Sequence, residues 1–253
     1  MKRPVKKAAR KLGDSAARPL GRPKPASRGA RYAPAQQRFP IILAHLKNAY
    51  PDAHCELDFT DPFQLICATI LSAQCTDVRV NMVTPALFAK FPDAAALAAA
   101  KQEDVEEIIR STGFFRNKAK SLIGMAQAVV AEHGGKIPST MDALVKLPGV
   151  GRKTANVVLG NAFGMNEGVV VDTHVGRLSA LLGLTRESDP IKVEQTLMML
   201  TPRDDWALLS HLLIFHGRRI CIARRPRCWE CVVAEWCPGR REDGQMDSQT
   251  DGQ

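Results

Sequence analysis

LPGVGRKTANVVLGNAF, running from Leu147 to Phe163, ends one helix and begins another within a few residues. Pro148 and the two glycines, Gly149 and Gly151, break the first helix and permit tight backbone geometry. From Thr154 onward the apolar residues return at helical spacing. An ordinary helix–turn–helix link needs only one glycine. A G-x-G flanked by Pro, Arg and Lys instead exposes backbone amides at a helix N-terminus, where a phosphate is held without net side-chain charge. The stretch therefore predicts a helix–hairpin–helix over about residues 143–162, with Gly149, Val150, Gly151 and Arg152 on a nucleic-acid backbone.

Charge outward from the hairpin supports that economy. Residues 1–38 hold 12 of the 35 Lys and Arg and one of the 26 acids, Asp14, which leaves +11 there and −2 elsewhere. The basic balance belongs to the N-terminal segment, so a DNA-binding core must use amides or a local basic face. That segment has five prolines before residue 35 and too little apolar periodicity to fold, so 1–38 reads as a disordered basic arm rather than a targeting helix. Residues 239–253 read as a disordered polar tail. No apolar run approaches the roughly 18 residues of a membrane span. A soluble, cytoplasmic protein is expected, with no membrane partner.

The 45% hydrophobic content and frequent alanine runs favour helices around a real core. Asp61-Pro62, Thr84-Pro85 and Asp93 look like helix starts, Lys118–His133 stops at Gly134-Gly135, and further helices fall near 173–182, 190–200 and 203–219. Convincing strands are absent. The fold class is all-α.

Seven cysteines are present, and four of them, Cys221, Cys228, Cys231 and Cys237, are spaced C-x6-C-x2-C-x5-C. Four thiolates so close together repel one another unless a metal holds them. Zinc usually takes two C-x2-C knuckles and here there is one; four cysteines suit a [4Fe–4S] cluster as well, and spacing alone does not choose. The loop around the first two ligands carries Arg218, Arg219, Arg224, Arg225 and Arg227, a solvated charge run or a phosphate-contacting device. Between hairpin and cysteines, VVVDTHVGRL contains Asp172. Alone it reads as an N-cap, and Lys153 alone as a surface lysine; together, beside a DNA-holding hairpin, they suggest chemistry.

LPGVGRKTANVVL, then VDTH, then the four-cysteine pattern resembles the endonuclease III family of helix-hairpin-helix DNA glycosylases. LSAQ at 71–74 followed by Thr76-Asp77 is also similar to that family, and the likeness runs from about Phe39 to Cys237. The resemblance implies a six-helix barrel domain at 57–165. It also implies a helical iron–sulfur domain built from 39–56 and 166–238, with a DNA cleft between the two. It implies Lys153 as nucleophile, Asp172 as assisting carboxylate, Gln74 filling the space of a flipped nucleotide, Phe114 as a second wedge and a [4Fe–4S] cluster on the four cysteines. The expected partner is duplex DNA with damaged bases or abasic sites, bound by a monomer. The implied activity is that of a glycosylase/AP lyase of base excision repair: removal of oxidised pyrimidines through a lysine Schiff base, then β-elimination.

Two other readings are open. An adenine-removing glycosylase shares the hairpin, aspartate and cluster but lacks this lysine. A non-catalytic redox-sensing DNA binder would need the hairpin and cluster only, and would not explain Lys153 with Asp172. His174 is read as a packing residue.

Overall fold

The computed structural model describes residues 32–241. Among them there is no β-strand and there are eleven α-helices. They are α1 (Ala35–Ala49), α2 (Pro62–Leu71), α3 (Asp77–Lys90), α4 (Ala94–Ala98), α5 (Gln102–Ile109), α6 (Phe115–His133), α7 (Met141–Leu144), α8 (Arg152–Ala162), α9 (Thr173–Leu181), α10 (Pro190–Leu200) and α11 (Trp206–Arg219). Short acidic caps start several of them. Asp61 accepts from the Gln64 amide at 2.8 Å with Pro62 in the first turn, Asp93 accepts from the Ala96 amide, and Asp189 caps α10. Gly134, left-handed at φ 58°, ends α6.

Thr84-Pro85 is not a helix start. Thr76 caps α3, and Pro85 lies inside that helix. Val80, Val83, Thr84 and Leu87 are buried along one face, which carries the helix through a proline that removes one backbone donor. The boundary of the basic arm also moves. α1 opens at Ala35 and Arg38 is only 5% exposed, so the folded chain begins before residue 38. At the other end, the Gly239 amide donates to Leu181 O at 2.9 Å, which makes 239 part of the packed structure. Residues 1–31 and 242–253 of the expected arm and tail lie outside the described residues.

Two hydrophobic cores divide these helices. One runs from Leu57 to Leu159 and is filled from α2 through α8, with Leu65, Ile66, Leu71, Leu122 and Leu159 fully buried. The other joins α1 to residues from the last third of the chain, so that Phe39, Ile42 and Leu46 meet Val175, Leu178, Leu209, Leu213 and Val233. Arg38 fastens that closure. Its guanidinium donates to the carbonyls of Leu182 (2.8 Å), Gly183 (3.1 Å) and Trp236. The cores touch where α8 meets α11: His211 Nε2 lies 2.8 Å from Asn161 Oδ1, and Arg152 forms a two-pronged pair with Glu194 of α10.

Candidate active site and cluster loop

Lys153 is the second residue of α8, whose N-cap, Gly151, supplies no side-chain cap. Asp172 is the N-cap of α9 and accepts from the Val175 amide at 2.8 Å. Both line one open cleft of about 1010 Å³, shared with Ser72, Gln74, Asp77, His174 and Arg218. The N-cap and cleft readings of Asp172 thus hold together: one carboxylate oxygen serves the helix while the residue faces Lys153's cleft. A smaller, mostly apolar recess of about 490 Å³ continues past the same pair along Val171, Gly176, Ala180, Pro190 and Val193.

A second carboxylate sits in this cleft. Burial and then the Asp172 charge hold the Asp77 carboxyl above its ordinary range, against the pull of Lys153 and His174. Arg218 Nη2 meets Asp77 Oδ2 at 2.8 Å, and Nη1 pairs with Glu56. Burial lowers the Arg218 pKa. Arg218 is therefore a clamp between carboxylates rather than a free phosphate contact. His174 lies half-buried against Gly217, whose added Cβ would stand 2.8 Å from the imidazole Nδ1.

Gln74 and Phe114 share an uncommon backbone. Among the described residues they are the only two non-glycine residues with positive φ, at 53° and 47°. Such positions cost free energy and persist where the surroundings over-determine them, often at functional sites. Gln74 lies in the turn after α2, and Phe114, 65% exposed, precedes α6. Each loop thrusts its side chain outward.

The hairpin differs in detail from the sequence expectation. Val150 is a core residue, and its amide donates to Leu147 O at 3.1 Å, so neither its side chain nor its N–H is free for DNA. Arg152 gives its guanidinium to Glu194, with Nε–Oε2 at 2.9 Å, and that hydrogen bond raises its pKa further. Asn156 Nδ2 adds a bond to the same carboxylate at 2.9 Å. Gly149, at φ 76°, passes so close to α6 that a Cβ would stand 2.7 Å from Ser121 Cβ. The donors left open belong to the uncapped first turn of α8, where helix geometry gives amides no internal acceptor.

Cys221, Cys228, Cys231 and Cys237 line one mostly apolar cavity with Leu178, Leu182 and Val233. Among the described residues no three His, Cys, Asp or Glu side chains gather tightly enough for a single metal ion. Cysteine-only ligation of this kind suits an iron–sulfur cluster. Burial pushes the Cys231 thiol up to about 11 and Cys237 to about 12, so thiolates in this place require a bound cation. In the loop between ligands, Arg224 and Arg225 are exposed. Arg227, which the sequence offered as a contact, pairs with Glu230 at 2.9 Å and donates to Arg219 O.

Residues 67–203 match the family described as HhH-GPD superfamily base excision DNA repair protein, and 221–237 match the iron-sulfur binding domain of endonuclease III. Endonuclease III of Synechocystis is 56% identical over 203 residues, covering 80% of this chain and 93% of that protein. The chain belongs to the endonuclease III family. Two solved structures, a non-covalent endonuclease III–DNA complex and a trapped endonuclease III–DNA covalent intermediate, each superpose with a TM-score of 0.77 at 42% identity. They cover 81% of this chain and 95% and 96% of theirs.

The iron–sulfur binding domain matched over 221–237 is consistent with the [4Fe–4S] cluster of endonuclease III, and Cys221, Cys228, Cys231 and Cys237 are the residues there that would hold it. Sequence reasoning missed Asp77 and Arg218 as cleft residues. Their signal was present in the Thr76-Asp77 pair after LSAQ and Cys75 and in Arg218 ahead of the first ligand, but only the fold brings two residues 141 apart in sequence to within 2.8 Å in space.

Proposed function

We infer that this chain is a DNA glycosylase with AP lyase activity that acts in base excision repair on oxidised pyrimidines in duplex DNA. The observation that carries the reading is Lys153 at an uncapped helix N-terminus, in one cleft with Asp172 and beside the Gln74 turn. A damaged base is out of reach inside the stack, so its nucleotide must be extruded, at a cost of a few kcal/mol. The open amides of α8 hold a backbone phosphate, while Gln74 and Phe114 enter the stack and keep the nucleotide out. The exposed Arg224 and Arg225 add contacts to the phosphates.

With the sugar in the cleft, the Lys153 amine lone pair forms a bond to C1′ and the glycosidic C–N bond breaks, its electrons leaving with the base. Asp172 takes up the proton that the amine must lose, or balances positive charge on the sugar as the bond breaks. Ring opening gives a Schiff base. Loss of a C2′ proton then expels the 3′ phosphate, which nicks the strand, and water frees the lysine. A cluster held by the four cysteines would brace the 221–237 loop, and none of these steps draws on it. The covalent trapping of a related endonuclease III on DNA supports the route.

No helix among the described residues is long and apolar enough to cross a membrane. A monomer in the bacterial cytoplasm fits a cleft assembled within one chain. The test is borohydride trapping on duplexes with single oxidised pyrimidines. Lys153→Gln should abolish the trapped complex and lower base removal and nicking at least about a thousandfold, with DNA affinity largely kept. A variant that still traps at the normal rate would sink the assignment.

A further inference from the structure

We propose that Lys118 is a positioning residue that locks the Gln74 and Phe114 loops together, so that both side chains enter DNA in one step. The proposal rests on the wedge reading given above. Lys118 lies in the first turn of α6, yet it is only 5% exposed. Its ammonium donates to Leu71 O at 2.9 Å and to Thr112 O at 2.7 Å. Leu71 is the last residue of α2, three before Gln74; Thr112 is two before Phe114. The Lys118 backbone amide also donates to Phe114 O at 3.1 Å.

One residue thus holds both places where the chain turns left-handed at a non-glycine residue. Burial lowers the Lys118 pKa, while the two carbonyls that accept from it favour the charged ammonium. A lysine kept inside for packing alone would be replaced at no loss by an apolar chain of its length. Here an apolar chain would leave both carbonyls unmet, and the two loops would have no shared anchor. Two strained loops fixed to one cation move as one body, whereas separate loops could insert one side chain without the other.

The experiment compares the full cluster-loaded protein with Lys118→Met and Lys118→Arg on two substrates. One carries an oxidised pyrimidine in a matched duplex; the other carries it in an unpaired bubble, already unstacked. We expect Lys118→Met to lose about tenfold or more in single-turnover base removal on the duplex, equivalent to about 1.4 kcal/mol. On the bubble the loss should stay within about twofold, and Lys118→Arg should recover most of the duplex rate. 2-Aminopurine beside the lesion should report slower unstacking in the Met variant. Equal losses on both substrates overturn the proposal.

Should Lys118→Met fail to fold, a double-mutant cycle decides. Gln74→Ala and Phe114→Ala should be coupled by at least about fivefold on the duplex, and additive effects overturn the tie. If neither single change slows duplex turnover, the wedge reading itself fails. If each slows it independently, only the tie fails.

Discussion

At the scale of the residue, Asp172 carries two duties that can be separated. Asparagine caps a helix about as well as aspartate, but it cannot accept a proton or balance a cation. Asp172→Asn should therefore leave the melting temperature nearly unchanged while slowing base removal by about a hundredfold. Asp172→Ala should lose the same activity and about 1 kcal/mol of stability as well. Thermal melts run beside single-turnover kinetics would show this. An Asn variant of normal rate would reduce Asp172 to a cap. That Lys153 and Asp172 share one cleft and the four cysteines one cavity was legible in the sequence, because each lies in a short run with a distinctive neighbourhood. Val150, Arg152 and Arg227, offered by the sequence as DNA contacts, have partners within the fold that the sequence does not show, for a common physical reason. A sequence shows which groups could reach a phosphate, but not that a buried carboxylate such as Glu194, or a backbone carbonyl, has already taken them.

Helices and their junctions form the next scale. The hairpin turn rests on α6 through Gly149, where a side chain would need both a left-handed backbone and space occupied by Ser121. Gly149→Ala should destabilise the fold by about 1–3 kcal/mol and weaken DNA binding with it, as melts and titrations would reveal. Normal values for both would mean that the hairpin adapts. The α8–α11 junction makes stability depend on acid. Burial, and then the His54 charge, push the His211 pKa down to about 4. The folded state therefore keeps this imidazole neutral while the unfolded chain protonates it near 6.5. Stability from this group is complete above about pH 6.5 and is lost as pH falls toward 4, by on the order of 3 kcal/mol. His211→Gln should flatten that part of the melting-temperature profile; an unaltered profile would place the acid sensitivity elsewhere. Helix starts at Asp61, Asp93 and Asp172 were readable from their caps. Thr84-Pro85 misled because the local signal for a start was outweighed by a buried face continuing through it.

Taken whole, the molecule separates its charge from its chemistry. Deleting residues 1–31, which hold 11 of the 12 basic residues in the first 38, should flatten the dependence of DNA affinity on salt. Every phosphate that the shortened protein leaves unneutralised lowers the slope by about 0.9. Single-turnover cleavage at saturating enzyme should barely change, because the cleft residues all lie in the folded part. Identical slopes for full-length and shortened protein would leave the electrostatics to Arg224 and Arg225. The helical class was visible from composition and periodicity. The pairing of α1 with α9, α10 and α11 was not readable from these, since partners so far apart in sequence leave no local trace. Only the family likeness supplied it.

That pairing has a consequence for how the protein is made. A ribosome delivers α1 first, but its partners in the second core arrive only from residue 169 onward, and the Arg38 anchor on Trp236 comes later still. The first core, ending at Leu159, is already complete by then. Each new chain therefore passes through an interval in which the half that bears Lys153 is built while the apolar face of α1 waits uncovered. Iron–sulfur loading, which needs Cys237, follows the delivery of the whole first core.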